Sequence, residues 1–331
     1  MAQRKCLTEI SFNLASQVVM LIHPKDITKI DNQSEEIKEL AKDCHIYLIA
    51  KRPRLGFVPD SIKWNDGITK GKMYYRLAGE RTEIEFTMIG EPPNGCIQYS
   101  DYPHNTITIV NGHQSTGPMY AHMISFICDE ISDRSLRDLE VVYVGMSYGE
   151  DGKRSAKDRL QSHATLQQVL ADINSDDPDS EALLILVQYA SPFSMISFDG
   201  RDKSLKQEDD RDVIKDLRTQ QELIDRKTEI ALAEAGLIKY FKPRYNDIYK
   251  KNFPYKDHIV TESLYSIDFI AFVVELNTED INARLFSDNR MPGFHHIASY
   301  DLHDPDVRKS FFNVFESSSS FSAENHSGPF F

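Results

Sequence analysis

The sequence predicts an α+β protein with more than one domain. Its 331 residues are 40% hydrophobic and 27% charged, enough for one large or two to three modest domains. ALLILVQYA (182–190) is a continuous apolar run, as expected of a central strand. Short β-rich segments and helical periodicities are mixed along the chain rather than alternating as regular βαβ units.

Residues 1–115 read as an N-terminal α+β domain. SEEIKELAKDC (34–44) has helical spacing with Ser34 as N-cap, and HIYLIA (45–50) is a short buried strand. KMYYRLAG (72–79) and TEIEFTMIG (82–90) alternate on either side of a turn and predict a hairpin. CIQYS and NTITIVNG add two short strands, punctuated by Pro92, Pro93, Asn94 and Gly95.

Residues 116–256 form the predicted central domain, a small mixed sheet flanked by helices. HMISFICDEI (122–131) and LEVVYVG (139–145) read as strands, and GKRSAKDRLQSHATLQQVLADI (152–173) as one helix. After the 182–190 strand and a shorter SMISFDG strand, residues 209–241 read as a long helical stretch that Pro243 terminates. Residues 257–316 form a C-terminal accessory segment. Within it SLYSIDFIAFVVEL (263–276) reads as one or two strands, HHIASYDL (295–302) as a strand and DPDVRKSFFNVFE (304–316) as a helix. The Ser-rich tail, 317–331, lacks periodicity and is expected to be disordered.

No run of about 18 apolar residues is present, and MAQRKCLTEI lacks the apolar core of a signal peptide. Cys6, Cys44, Cys96 and Cys128 form no CxxC pair and read as reduced thiols of a cytoplasmic protein. The formal net charge of −13 argues against general coating of nucleic acid. The charge is uneven, however. Lys239, Lys242, Arg244, Lys250, Lys251 and Lys256 face one acid, Asp247, and Lys153, Arg154, Lys157 and Arg159 form a second basic cluster. Such a dipolar surface can hold a polyanion locally, although solvated helix and loop faces explain the same clusters.

Three pieces of the middle segment suggest chemistry. Tyr143-Val144-Gly145 ends a strand. Arg159 and His163, four residues apart, are placed on one face of the predicted helix. Glu234 is followed by Leu237-Ile238, Pro243 and Asn246. Singly, each residue also has a structural reading. Tyr143 serves as a strand-end aromatic, Gly145 as a turn, Arg159 as half of a surface ion pair, His163 as a polar helix residue, Glu234 as a solvated acid and Asn246 as a helix cap. The sequence contains no Walker loop, GxGxxG, GxSxG or HExxH.

In order and type these pieces resemble the GIY-YIG nuclease superfamily over about 116–255. There a Tyr-Ile-Gly strand end precedes a helix bearing Arg-x-x-x-His, with Glu-x-x-Leu-Ile, a Pro and an Asn farther on. The family's first motif is expected on the preceding strand. Aligned on 122–131 it reads Ile124-Ser125-Phe126, with Tyr120 and Tyr148 as alternative sources of a phenol.

The resemblance implies a divalent-metal-dependent endonuclease acting on DNA, with RNA not excluded. Glu234 would hold Mg²⁺ or Mn²⁺. Tyr143 would orient or deprotonate the attacking water, and Gly145 would let the chain turn. Arg159 would bind non-bridging phosphate oxygens, His163 would bond a phosphate or relay a proton, and Asn246 would hold Glu234 or Tyr143 in place. Lys153, Arg154, Lys157, Lys239, Lys242 and Arg244 would track the nucleic-acid backbone. A restriction or antiviral-defence role, regulated by the flanking regions, self-association or a protein partner, fits this picture by analogy. The alternative is a catalytically degenerate domain acting as a nucleic-acid-binding or protein-interaction scaffold.

Overall fold

The computed structural model describes residues 8–90, 94–149, 155–161, 163–198, 224–255, 258–267 and 269–303. The chain starts with β1 (Thr8–Ile22), α1 (Glu35–Lys42) and β2 (Ile46–Pro53). Ser34 caps α1 by accepting the Ile37 N–H at 3.4 Å, and Glu35, Glu36 and Lys42 complement the helix dipole.

Between β2 and the strand bearing Tyr143 lies a long β-rich insert. It comprises β3 (Gly56–Phe57), β4 (Lys63–Asn65), β5 (Ile68–Leu77), β6 (Glu80–Ile89), β7 (Cys96–Tyr99), β8 (Thr106–Asn111), β9 (Gln114–Ser115), β10 (Met119–Tyr120), α2 (Ala121–Ile127) and β11 (Glu130–Ile131). The predicted hairpin is β5–β6, in register from Ile68↔Ile89 to Leu77↔Glu80. Ala78 and Gly79 form its turn with φ of 50° and 85°, the positive pair that a tight hairpin requires. The insert has its own core, with Phe57, Met73, Ile84, Phe86, Ile107 and Ile124 among its buried side chains.

The chain then returns through β12 (Asp138–Met146), α3 (Ala156–Leu160), α4 (Ala164–Asp176), β13 (Ser180–Tyr189) and β14 (Phe193–Phe198). α5 (Arg226–Phe241), α6 (Ile259–Ile267), β15 (Ala271–Asn277), β16 (Arg284–Ser287), β17 (Arg290–Gly293) and β18 (His295–Asp301) complete it. The protein is thus α+β, as expected, with a central sheet larger than predicted. Its nine strands run β17-β16-β12-β2-β13-β1-β15-β18, and β14 also pairs with β1.

The sheet crosses both expected domain boundaries. β1 and β2 lie upstream of residue 115, β12 and β13 in the middle segment, and β15, β16 and β18 beyond residue 256, yet all share one hydrogen-bonded array. β1, which no sequence signal had singled out, pairs antiparallel with β13 and parallel with β15. In β13, Leu183, Ile185 and Val187 face the core shared with α5, while Ala182, Leu184 and Leu186 face the core shared with α3 and α4. Burial on both faces explains its unbroken apolar run.

Three expected elements differ. The 122–131 strand is mostly helix, α2, followed by the two-residue β11. Ile124, Ser125 and Cys128 are buried while Met123 and Ile127 are exposed, a helical pattern that a short apolar run conceals. The 152–173 helix is two helices, α3 and α4, broken at His163. The 263–276 strand region begins as α6, with Val260, Thr261 and Leu264 buried, and becomes a strand only at Ala271. Residues 209–223 of the long helical stretch, the 304–316 helix and the Ser-rich tail lie outside the described residues. Among the described residues no helix is long and apolar enough to cross a membrane.

Candidate active site

The site forms where β2 and β12 run side by side, with Gly145 opposite Tyr47. Two residues earlier on β12, Tyr143 projects to the same face. A Cβ on Gly145 would lie 2.5 Å from the Tyr47 hydroxyl oxygen and 2.7 Å from Tyr143 Cε1. Gly145 sits inside β12, so it does not turn the chain as expected. It clears the space in which two phenols approach, with ring centroids 6.1 Å apart.

His163 joins this pair from the break between α3 and α4. Its backbone is extended (φ −87°, ψ 116°), and its Nδ1 accepts the Leu166 N–H at 3.2 Å as the N-cap of α4. The sequence had placed Arg159 and His163 on one face of a continuous helix. A polar side chain competing for a free backbone N–H breaks that helix instead. Since Nδ1 accepts, the proton of the neutral ring sits on Nε2, which donates to the Tyr47 oxygen at 2.9 Å.

Arg159, on α3, acts on the same phenol. Burial pushes the Tyr47 phenol well above its ordinary range, and a hydrogen bond and the positive charge of Arg159 oppose that rise. Burial also raises Tyr143, and the negative charge of Glu234 adds to the effect. Hydrogen bonds from Tyr47 and Thr165 and the charge of Arg159 pull it back. The Arg159 Nε is buried without a protein partner, leaving a guanidinium N–H available to an anion.

Glu234 enters from α5, the helix packed under β12. Its carboxyl is pushed up to about 7 by burial, against a hydrogen bond from the Met146 N–H and the charge of Arg159. Among the described residues no basic side chain lies within salt-bridge range of it. A half-buried carboxylate lacking a close counter-charge fits a hydrated divalent cation, which needs only one or two carboxylates.

Asn246 bonds neither the Glu234 nor the Tyr143 side chain; its amide serves the backbone of β12. Its Oδ1 accepts the Val144 N–H at 2.9 Å and its Nδ2 donates to the Val144 carbonyl at 2.8 Å. Next to it, the Tyr245 N–H donates to the Val142 carbonyl at 3.0 Å. β16 pairs with β12 from Asp138 to Glu140. Beyond that point Tyr245, Asn246 and Glu234 in turn satisfy the outer edge of β12. Lys242, in the left-handed conformation at φ 51°, caps α5, so Asn246 is not a helix cap.

The expected basic track is partly engaged elsewhere. Lys157 pairs with Asp31, and Lys239 Nζ donates to the Lys251 carbonyl at 3.0 Å. Lys242 is exposed, and so is Arg244, whose guanidinium lies 5.5 Å from the Tyr245 ring centroid. Lys153 and Arg154 lie outside the described residues.

Ile124-Ser125-Phe126, the segment aligned with the family's first motif, lies on α2 and contributes no phenol. Tyr120 stacks on His122 and Tyr148 packs edge-on against His45. The residue that sequence reasoning missed is Tyr47. The HIYLIA strand was legible, but its role depends on pairing with a strand beyond the entire insert. Comparison with family models, curated proteins and solved structures returned no match.

Proposed function

We propose that this protein is a GIY-YIG-like endonuclease that hydrolyses DNA phosphodiester bonds with Mg²⁺ or Mn²⁺. The supporting observation is the convergence of Tyr47, Tyr143, Arg159, His163 and Glu234, from separate elements, around one strand pair. His45-Ile46-Tyr47 stands where the family's first motif is required, on the strand beside Tyr143-Val144-Gly145.

Each group has a definite task. Arg159, with its unpartnered Nε, binds the non-bridging oxygens and offsets the charge that builds on them in the transition state. His163 donates to Tyr47, whose ring lies 6.1 Å from that of Tyr143. This packing holds the Tyr143 hydroxyl toward the attacking water. Both phenols are raised, so they are protonated at neutral pH and act as orienting groups. Glu234 would hold the divalent cation, which would supply Lewis-acid activation of water and offset the charge of the leaving oxygen. Asn246 fixes the strand that carries Tyr143. Lys242 and Arg244, both exposed just beyond α5, contact the nucleic-acid backbone.

A plasmid-nicking assay with Mg²⁺ or Mn²⁺ tests this reading. Glu234→Ala, Arg159→Ala and Tyr47→Phe should each abolish nicking while retaining the fold, and RNA offered to the same preparation should survive. The second reading is a binding scaffold. It is favoured by His45, which replaces the expected glycine and is anchored to the Ser147 carbonyl at 2.9 Å. Salt-dependent DNA binding by the wild type without nicking would establish that reading instead. We extend the nuclease reading to a cytoplasmic restriction or antiviral-defence enzyme. In it the insert and the C-terminal strands govern target choice, self-association or control by a protein partner.

A further inference from the structure

At the other end of β2, away from Tyr47, lies a polar cluster with no part in the chemistry above. His23 follows β1, His122 lies on α2 of the insert and Glu181 on β13, and one donor atom of each lies within 4.8 Å of the others. His122 is 8% exposed and Glu181 7%. Three chain segments thus bring two imidazoles and a carboxylate to one buried point, at the seam between insert and central sheet.

The surroundings orient these donors. Arg52 Nε donates to Glu181 Oε1 at 3.0 Å, and its Nη1 donates to Ser125 Oγ at 2.8 Å and the Leu136 carbonyl at 2.7 Å. A carboxylate aimed through one oxygen in this way resembles the outer-shell bracing of metal ligands. The His122 ring is fixed by stacking against both His23, at 5.1 Å, and Tyr120, at 5.2 Å.

We propose that His23, His122 and Glu181 bind one borderline transition-metal cation of the zinc type, fastening the insert to the central sheet. The donor set selects the metal. Lys25, Arg52 and Arg54 place fixed positive charge near the cluster. That charge opposes every dication alike, and the two imidazole nitrogens favour a zinc-type cation over Mg²⁺ or Ca²⁺, which take oxygen ligands. Tetrahedral donors about 2.0–2.1 Å from zinc are roughly 3.4 Å apart, so donors that lie within 4.8 Å of one another close by at most about 1.4 Å on binding. His23 Nδ1 accepts the Lys25 N–H at 3.2 Å. Coordination through its Nε2 moves the ring proton to Nδ1 and gives up that bond.

The proposal is independent of the nuclease reading. The full chain, stripped with chelator, is titrated with Zn²⁺ and with Co²⁺ as a spectroscopic probe, alongside His122→Gln, His23→Ala and Glu234→Ala. Wild type and Glu234→Ala, which lacks only the proposed Mg²⁺ or Mn²⁺ ligand, should both hold about one tightly bound cation per chain at the histidine cluster, show tetrahedral Co²⁺ absorption and gain several degrees in melting temperature. Both histidine variants should bind at least about tenfold more weakly. Unchanged affinity in folded His23→Ala, altered on a half-buried connection, would overturn the site even if His122→Gln fails to fold. Stabilisation by inorganic phosphate but not by Zn²⁺ would overturn it too, assigning the cluster to an anion.

Discussion

The Tyr47 ring crosses directly over Gly145, leaving no room for a Cβ, which would lie 2.5 Å from the phenol oxygen. The glycine is therefore a condition for the Tyr47–Tyr143 approach. Gly145→Ala forces Tyr47 off its position and costs about 1–3 kcal/mol, the usual scale of core overpacking. Urea unfolding should show that loss, and nicking should fall at least about tenfold because the phenol is displaced from His163.

Tyr47→Phe separates the hydroxyl from the ring. The ring keeps its packing, but the His163 Nε2–H loses the acceptor at 2.9 Å. Stability should change by about 1 kcal/mol, the typical net worth of one hydrogen bond. The nicking rate should drop about 100-fold or more with DNA affinity held, since orientation is lost while phosphate contacts remain. Equal loss of rate and affinity would assign Tyr47 to binding alone.

Asn246→Ala tests the closure of the β12 edge. It leaves the buried Val144 N–H and carbonyl without the amide that serves both. Each orphaned group costs about 1–3 kcal/mol, so a destabilisation of about 2–6 kcal/mol is expected. Hydrogen exchange at Val144 should accelerate in parallel. Slow exchange at that amide in the variant would show that another group replaces Asn246.

The same residues show how far the sequence could be read. Local signals were legible. Ser34 and its helix, the β5–β6 hairpin, β13 and the stop of α5 before Pro243 all follow from contacts within a few residues. The order Tyr143, Arg159, His163, Glu234, Asn246 was legible too, and the structure gathers these residues around β12. Long-range strand pairing was not. Ser11 pairs with Ala271 and Tyr47 with Gly145, partners separated by most of the chain or by the whole insert. Nothing local in β1 or HIYLIA encodes the partner, so neither the single central sheet nor the missing phenol could be placed. His163 was misplaced for a different reason. Its side chain outcompetes the helix for a backbone N–H, an exchange that regular spacing does not reveal.

Glu234 gives the prediction that joins stability to function. Its folded-state carboxyl is raised from 4.5 to about 7, with burial as the main cause. Between those values the folded protein holds a proton that the unfolded chain has released. Stability is therefore fully present below about pH 4.5 and is lost as pH rises through about 7. At 1.36 kcal/mol per pKa unit the penalty reaches at most roughly 3 kcal/mol at pH 8. Glu234→Gln is neutral throughout. It should match the wild type near pH 4.5 and exceed it by as much as roughly 3 kcal/mol at pH 8 while being inactive. Mg²⁺ or Mn²⁺ should restore stability to the wild type alone, because a cation at the carboxylate replaces the proton. Nicking should rise with pH through about 7 as the carboxylate ionises, with the midpoint moving lower as metal concentration increases. Denaturant unfolding of both proteins at the two pH values, with and without metal, checks this. A stability difference independent of pH and metal would overturn the proposal that Glu234 holds a cation.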